Sequence, residues 1–271
     1  MKFVNNKPTV IFTFHHVSPY KDTLTISPKL FKKTLEYIGN EFNIISQKEF
    51  YKYLFKNLNF PQKSALITFD DGYLDNFIYA YPIIKELKIP VTIFLITNMI
   101  EKSSKILRKE MEFTSHLEIE KNMKSKYFIN LVEAKEMEKS GLITFDSHTK
   151  THYSCNENNL EKIEDELSDS LNFIQKNFPK RFYSLCWPKG KFSEDSKRIA
   201  KKVGYSFAFS TIDGPYTKGE DLFSIKRVDI SSSKNGSLDY LKRLKKKSKL
   251  YSIPFISKIY SDYKYLKRKK W

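Results

Sequence analysis

Cysteine is scarce in this chain of 271 residues, where Cys155 and Cys186 are the two examples. They could pair only with each other, and no framework of evenly spaced cysteines exists, so we expect reduced thiols. Long hydrophobic runs are missing too, because no stretch reaches the roughly 18 apolar residues of a membrane-spanning helix. The N-terminal residues before the first strand hold no apolar run of signal-peptide length. These absences favour a cytoplasmic protein.

Acidic residues are few, with 31 Asp and Glu against 48 Lys and Arg and a net charge of +17. The excess is concentrated, since residues 239–271 contribute +10 and the rest of the chain +7. Basic residues are interleaved there with Leu, Ile, Tyr and Trp, which suits peripheral contact with an anionic membrane at the inner face. A solvated helix packed on the rest of the chain is the alternative. Nucleic-acid binding is disfavoured, because no known nucleic-acid motif accompanies the charge.

Apolar periodicity divides the chain into alternating strands and helices. Residues 9–14 and 64–69 are rich in β-branched and aromatic side chains and run directly into polar residues. The first helix is predicted to begin at Pro28 and to end at Gly39. Alternation of this kind predicts βα units and a parallel sheet or barrel, with the functional site after the strand C-termini. The other predicted strands are 42–45, 91–97, 142–145, 183–187, 206–211 and 223–230.

Three ranges describe the predicted domain organisation. We expect a catalytic domain at residues 1–235 and a basic amphipathic tail at 236–271. Residues 98–130 are charged and lack a clear period, which predicts an inserted lid or loop with one or two helices.

Two adjacent carboxylates come directly after the strand at 64–69, in the motif T-F-D-D-G-Y. Neighbouring residues of a strand point to opposite faces, so Asp70 and Asp71 can converge only if the chain turns there. Gly72 permits such a turn. An Asx turn or a helix cap is the alternative interpretation of the motif.

Histidine occurs only five times, and His148 and His152 are spaced to share one face of a helix or turn. Two surface histidines at a helix start would be the alternative. Together with one Asp of the first motif they form a two-His-one-carboxylate set, which leaves metal positions open for water and substrate. A metal lowers the pKa of its bound water to about 7. The spare carboxylate can then act as a general base, worth about 10²–10⁴ in rate.

These motifs resemble those of the polysaccharide deacetylases, carbohydrate esterase family 4. The segment C-W-P-K-G-K-F-S at 186–193 resembles the third motif of that family, and G-Y-S-F-A at 204–208 resembles the segment that usually comes after that motif. The resemblance runs from about residue 9 to 230, with the motifs in the family's order. It implies an α/β fold of the NodB-homology type, a distorted (β/α) barrel with about seven parallel strands, here with a basic C-terminal helical tail.

The resemblance implies a role for each matching residue. Asp70 corresponds to the general base and Asp71 to the carboxylate ligand of one divalent metal ion, which we expect to be zinc. His148 and His152 correspond to the histidine ligands. Lys189 occupies the position whose backbone N–H helps to hold the oxyanion, and such donors are worth about 2.7–4 kcal/mol in other acyl-transfer enzymes.

The general acid departs from the common family pattern, because the chain has no histidine after His152. The branch that resembles poly-N-acetylglucosamine deacetylases takes its acid from a motif after the first strand. Phe14-His15-His16-Val17 fits that place, and we favour His15 over His16. Arg227 lies where this branch often has an arginine, and it is predicted to orient Asp70 or to form a structural salt bridge.

Trp187, Tyr73 and Asp146 are three further candidate positions. Trp187 and Tyr73 are predicted to line the sugar site, Trp187 by stacking, and the neighbouring Cys186 is expected to be a core residue and not a reactive thiol. Asp146 replaces a glycine that many members carry. It is either a partner that orients a metal-binding histidine or a turn residue.

The implied function is metal-dependent removal of the N-acetyl group from an amino sugar in a glycan or glycan precursor. The expected partner is an N-acetylated sugar, glycolipid or oligosaccharide. A sugar deformylase or an O-acetyl esterase would use the same groups, and a non-catalytic glycan-binding homologue is a further alternative. Without a signal peptide, a cytoplasmic precursor is the expected substrate.

Overall fold

Seven parallel strands close into a barrel in the computed structural model, which describes residues 8–56, 58–101, 106–230 and 236–253. In barrel order these strands are β1 (Val10–Phe14), β10 (Ile225–Asp229), β9 (Phe207–Asp213), β8 (Ser184–Cys186), β7 (Ile143–Ser147), β6 (Val91–Leu95) and β5 (Ser64–Phe69). Pairing of β1 with β5 completes the ring. The short strand β4 (Asn43–Ile44) extends β5 outward, and β2 (His16–Val17) pairs with β3 (Thr25–Ile26). The expected seven-stranded (β/α) barrel is therefore confirmed.

Helices come after most of the strands and cover the barrel. They are α1 (Pro28–Glu41), α2 (Gln47–Phe55), α3 (Tyr81–Leu87), α4 (Thr97–Glu101), α5 (His116–Lys121), α6 (Leu131–Lys139), α7 (Leu160–Asn177), α8 (Glu194–Val203) and α9 (Gly236–Tyr251). A π-helical turn (Asn76–Ala80) precedes α3, and 3-10 turns occupy Ser125–Tyr127 and Pro188–Gly190.

Two hydrophobic clusters explain why the strands are buried on both faces. One cluster joins Ile11, Leu66 and Phe94 inside the barrel. The other joins the alternate strand residues, such as Phe12, to helix residues, such as Phe31. Since successive side chains of a strand point to opposite faces, each strand contributes to both clusters.

One helix boundary differs from the prediction. Helix α1 continues through Gly39 to Glu41, and Phe42 caps it in an extended conformation. A glycine costs a helix only about 1 kcal/mol relative to alanine, so the apolar face that includes Ile38 decides the length. The predicted insertion at 98–130 contains most of α4, all of α5 and one 3-10 turn among its described residues, and residues 102–105 lie outside the description.

The described part of the basic tail packs on the barrel. Tyr240, Leu244 and Tyr251 of α9 are buried in the same cluster as the outward side chains of the strands. This packing matches the packed-helix alternative for residues 236–253, while 231–235 and 254–271 lie outside the described residues. Among the helices that the structure describes, none has the length and apolar character needed to cross a bilayer.

Candidate active site

The two aspartates converge because the chain turns sharply after β5. Asp71 and Gly72 both adopt left-handed backbone conformations, with φ of 70° and 72°. The turn is closed by a hydrogen bond from the Gly72 N–H to the Asp70 carbonyl, 2.9 Å long. A Cβ at position 72 would lie 2.6 Å from Cδ2 of Leu95, so another residue there would have to displace this side chain and would be strained by the positive φ. Both carboxylates are buried at the C-terminal end of the barrel.

The two histidines lie on an irregular turn after β7, one of the two forms that the spacing allowed. Thr149 and His152 have φ of 63° and 64°, so the segment is not helical. The Nε2 atoms of His148 and His152 each lie 3.4 Å from Oδ1 of Asp71. Three potential ligand atoms therefore meet at one point.

The protonation of this cluster favours a cation. His148 Nδ1 lies 2.8 Å from the Cys186 carbonyl oxygen, which can only accept, so Nδ1 carries a proton and Nε2 is the ring atom left to bind a metal ion. Burial lowers the pKa of His152 to about 4, so its imidazole is neutral. Oδ1 of Asp71 is buried and, within the described part of the chain, receives no hydrogen bond.

The spacing of these atoms also fits a metal ion. Two ligand atoms that each lie ~2.1 Å from a tetrahedral ion are about 3.4 Å apart. Asp70, His148 and Cys186 form a second close group. Both carboxylate oxygens of Asp70 in that group, however, accept hydrogen bonds from Arg227 over 2.7 Å, so this carboxylate already has a cationic partner. Asp71, His148 and His152 are therefore the set that suits a divalent cation.

Asp70 is held by Arg227 of β10. The guanidinium donates to both carboxylate oxygens over 2.7 Å, and its Nε donates to the Ser210 carbonyl over 2.9 Å. Burial by itself would raise the pKa of Asp70. The charge and hydrogen bonds of Arg227 outweigh burial and place that pKa below its usual range. Asp70 is therefore ionised and fixed in orientation.

The neighbouring histidines at the end of β1 point in different directions. His15 is partly buried, and its Nε2 lies 3.7 Å from Oδ2 of Asp70. His16 is buried, and its Nδ1 lies 2.5 Å from Oδ2 of Asp75. The side chain of Asn76 donates to the His15 carbonyl over 2.8 Å. Of the two histidines, His15 is thus the one beside the aspartates.

Lys189 lies on the 3-10 turn after β8 and lines a cavity of about 390 Å³ together with His152. Its backbone has φ of 57° and that of Gly190 has φ of 64°. A Cβ at position 190 would strike the side chain of Thr211, so the turn can pack on β9 only with glycine there. This packing determines where the Lys189 backbone lies relative to the histidine turn.

Comparison with known proteins agrees with this arrangement. The family model for polysaccharide deacetylase matches residues 57–208. The chain belongs to the polysaccharide deacetylase family. It is 30% identical over 240 residues to the poly-β-1,6-N-acetyl-D-glucosamine N-deacetylase of Staphylococcus aureus, an alignment covering 84% of this chain and 74% of that protein.

Solved structures share the fold of this polysaccharide deacetylase. IcaB from Ammonifex degensii matches with a TM-score of 0.72 at 18% identity, covering 89% of this chain and 97% of that one. The deacetylase PplD of Streptococcus pyogenes, solved with acetate, matches with a TM-score of 0.70 at 23% identity, covering 88% and 97%. Each of these matches covers a larger part of the chain than the family model, which matches residues 57–208.

Two aromatic residues predicted to line the sugar site of this deacetylase are stacked on neighbouring aromatic rings. Trp187 is fully buried, stacks on Phe192 and donates its indole N–H to the Phe223 carbonyl over 2.8 Å. Tyr73 is stacked between His16 and Phe128, with ring centroids 3.8 and 5.3 Å away. The prediction that Trp187 stacks on the sugar is therefore wrong, because the side chain is fully covered, whereas the predicted contact of Tyr73 with substrate stays a prediction.

Asp146 fits neither interpretation of its position. It lies within β7 and not in a turn, and the partner of His148 Nδ1 is the Cys186 carbonyl. The Asp146 carboxylate accepts a hydrogen bond from Ser184 over 2.8 Å and lies 3.0 Å from Nζ of Lys180. It is therefore part of a buried ion pair deeper in the barrel.

The sequence interpretation missed His116 of α5. Its Nδ1 lies 3.2 Å from Nε2 of His16, and its backbone N–H donates to Asp22 over 2.5 Å. Burial, and then the neighbouring His16, lower the pKa of His116. No motif spacing pointed to this contact, because His116 lies in the irregular insertion and meets His16 across 100 residues of sequence.

Proposed function

We propose that this protein removes the N-acetyl group from N-acetylglucosamine residues of a glycan or glycan precursor. The observation that carries the proposal is the pairing of two groups: a buried Asp–His–His set suited to a cation and, next to it, a carboxylate held by Arg227. The activity named for the Staphylococcus aureus relative supports the choice of substrate.

Asp71, His148 and His152 would hold the metal ion, which we propose to be zinc. When bound by these three residues, such an ion would supply Lewis-acid chemistry, polarising the acetyl carbonyl and lowering the pKa of water to about 7. Asp70 takes the proton from the attacking water. It suits this role because Arg227 keeps it ionised and fixes its orientation without occupying every lone pair.

Two other residues complete the proposed mechanism. His15 donates a proton to the departing sugar amine, since its Nε2 is close to Asp70 and its side chain is only partly buried. The backbone N–H of Lys189 donates to the oxyanion. The C–N amide bond breaks, acetate takes the oxygen of water, and the amine leaves with the proton from His15.

Acetate release from N-acetylglucosamine oligosaccharides, followed by mass spectrometry, tests the proposal. We expect Asp70→Asn to reduce kcat by about 10²–10⁴-fold while keeping its metal. We expect His148→Ala to lose the metal, measured by elemental analysis. Full activity in both variants would refute the assignment. Formate from N-formyl sugars, or acetate from O-acetyl esters alone, would support the deformylase or esterase alternative.

We also propose peripheral contact with the cytoplasmic face of an anionic membrane through residues 236–271, outside a catalytic domain of 1–235. In support, the face of α9 opposite its buried side chains is basic, with Lys242, Arg243, Lys245, Lys246 and Lys249. Sedimentation with vesicles rich in phosphatidylserine, and not with neutral vesicles, is the expected result. Charge-reversed Lys242→Glu/Lys246→Glu protein should lose this binding.

A further inference from the structure

A cavity of about 850 Å³ lies at the end of the barrel opposite the candidate active site. Pro8, Phe42 and Lys63 line it, and these residues come just before strands β1, β4 and β5. Because the strands are parallel, their N-terminal ends meet at one end of the barrel, and the site residues that come after the strands lie at the other. The volume lies within the ~300–1,000 Å³ range of small-molecule sites. The proposed reaction leaves this cavity without a role.

Helix α9 provides one wall of the cavity. Lys245, Ser248 and Lys249 line it, and their spacing of three and four residues places them on one face of the helix. Tyr251, which is fully buried, anchors this part of α9, and Tyr37 of α1 also lines the cavity. The cavity thus lies between two helices whose positions are fixed by packing, which reduces the entropy lost when a ligand binds.

The lining of the cavity is positively charged. Three lysines, Lys63, Lys245 and Lys249, stand against Glu41, the one carboxylate among the described lining residues, so the net charge is +2. Nζ of Lys63 lies 3.4 Å from Oε2 of Glu41, which leaves the excess charge on the two lysines of α9. Nζ of Lys245 lies 5.7 Å from the ring centroid of Tyr37. A cavity with this charge concentrates anions.

A buried hydroxyl group lies on the same wall as the two lysines of α9. Ser248 is 2% exposed, and its Oγ has no hydrogen bond of normal length within the described part of the chain. A buried hydroxyl without a partner is unfavourable, and a ligand oxygen that accepts its proton would relieve that cost. Ammonium and hydroxyl donors around one space suit a phosphate group, because the oxygens of phosphate accept from both.

Other lining side chains are apolar. Pro8 and Phe42 are buried, whereas the side chain of Ile253 is 40% exposed. An inorganic anion would leave these side chains without a partner. A ligand that joins an anionic group to a hydrocarbon chain matches both parts of the lining.

We propose that this cavity binds one anionic phospholipid, with its phosphate near Lys245 and Lys249 and its acyl chain along Ile253. The same lysines belong to the basic face of α9, so the cavity adjoins the surface proposed to contact the membrane. The N-terminal end of the barrel then faces the membrane, and the candidate active site opens away from it toward a glycan. This inference rests on the proposed membrane contact for its lipid, and it is independent of the chemistry at the candidate active site.

Dihexanoylphosphatidylserine, used below its micelle concentration, tests the cavity apart from a membrane surface. Calorimetry should show one binding site on the full chain. We expect Lys245→Gln/Lys249→Gln to weaken this binding on the order of tenfold, because both cavity charges are lost. Lys242→Gln/Lys246→Gln is the matched control, since it removes the same charge from exposed lysines of α9 outside the cavity lining. It should leave the affinity unchanged.

A second variant and a second lipid test the two parts of the ligand separately. Ile253→Ser should weaken binding of the serine lipid and leave binding of inorganic phosphate unchanged, because only apolar contact is lost. Dihexanoylphosphatidylcholine has the same chains with a head group of no net charge, and it should bind more weakly than the serine lipid. Thermal unfolding checks that each variant is folded.

The outcomes separate the cavity from the proposed membrane contact. Absence of binding by the wild-type chain, or equal losses in the two lysine variants, would overturn the phospholipid site. Equal affinity for inorganic phosphate and for the serine lipid would also overturn it, because the acyl chain would then contribute nothing. A dimer in analytical ultracentrifugation that Ile253→Ser dissociates would assign the cavity to a second copy of the chain instead. A chain that binds the short lipid but does not sediment with anionic vesicles would overturn the proposed membrane contact and retain the site.

Discussion

At the residue scale, the adjacent Asp70 and Asp71 suit different chemical roles because different side chains surround them. Asp70 accepts two hydrogen bonds from Arg227, so its carboxylate is charged and fixed. Oδ1 of Asp71 faces two imidazole nitrogens, and no donor among the described residues reaches it. The first environment suits a proton acceptor and the second a metal ligand. The sequence has the same residue type, aspartate, at both positions and therefore does not by itself show which of the two plays which role.

Replacing Arg227 should shift the pH dependence of the reaction. Arg227 lowers the pKa of Asp70 against the effect of burial, so Arg227→Met lets burial raise that pKa. Asp70 must be ionised to accept a proton, and the acid limb of the kcat/KM profile should therefore move to higher pH. Arg227→Lys, which keeps the charge, should move it less. An acid limb at the wild-type position in Arg227→Met protein, with the metal still bound, would contradict this account.

His152 should make the metal-free protein less stable in acid. Its pKa is about 4 in the folded state, below the ordinary value of 6.5. Between these values the unfolded chain binds a proton that the folded chain does not, so stability falls as the pH is lowered from about 6.5 to 4, by up to ~3 kcal/mol. Urea unfolding of metal-free protein across this range measures the slope. His152→Gln protein should show a smaller slope, and an equal slope would rule out His152 as the cause.

At the scale of elements, the loops after the strands build the site through unusual backbone conformations. The turn after β5 uses Asp71 and Gly72, the turn after β7 uses Thr149 and His152, and the turn after β8 uses Lys189, all with positive φ. Such conformations cost on the order of 1–3 kcal/mol each for non-glycine residues and persist where the surrounding packing imposes them. The barrel therefore supplies rigidity that these loops lack by themselves.

Gly190→Ala should lower kcat, and the loss should exceed that caused by an alanine at another position with the same positive φ. The new Cβ would collide with Thr211, so the Lys189 turn must move. Gly141→Ala is the matched control, because Gly141 has φ of 71° but no atom within 4 Å of its would-be Cβ. We expect a loss of about 1 kcal/mol of stability in the control with normal kcat. In Gly190→Ala we expect a reduced kcat, partly restored by Thr211→Ala. Equal kcat in the two glycine variants would count against this role of the turn.

At the scale of the whole molecule, the basic tail is structurally part of the barrel for as far as it is described. Tyr240, Leu244 and Tyr251 of α9 are buried against the outer face of the sheet. The boundary that composition places near residue 235 therefore marks a change in charge and not the end of the packed core. Helix α9 carries exposed lysines on one face and buried tyrosines on the other. The composition of the tail shows its net charge but not this division between two faces.

Truncation of the chain at two positions tests whether α9 is part of the packed core, independently of the charge of the tail. Ending the chain after residue 235 should lower the free energy of unfolding by several kcal/mol, because it exposes the side chains that α9 covers. Ending it after residue 253 keeps all three buried residues and should therefore lower this free energy less. Chemical denaturation measures both. Equal stability of the two truncated chains would show that α9 contributes no packing energy.

Periodicity and motifs predicted the barrel and the clustering of polar residues after its strands, because both depend on local patterns. The rings of Trp187 and Tyr73 could not be placed in this way, since their partners Phe192, Phe223 and Phe128 are set by tertiary packing. The contact of His116 with His16 joins segments without a shared period. The prediction that the first helix ends at Gly39 was wrong, because glycine disfavours a helix only weakly when apolar contacts support that helix.

The position of Arg227 on β10 has a consequence for synthesis. The groups around Asp70 come from β1, β5, β7 and β10, so the first and last strands of the barrel must meet before the set is complete. A nascent chain on the ribosome presents Asp71, His148 and His152 long before Arg227 emerges. Hydrolysis would begin only after the ring of strands has closed, which keeps unfinished chains inactive.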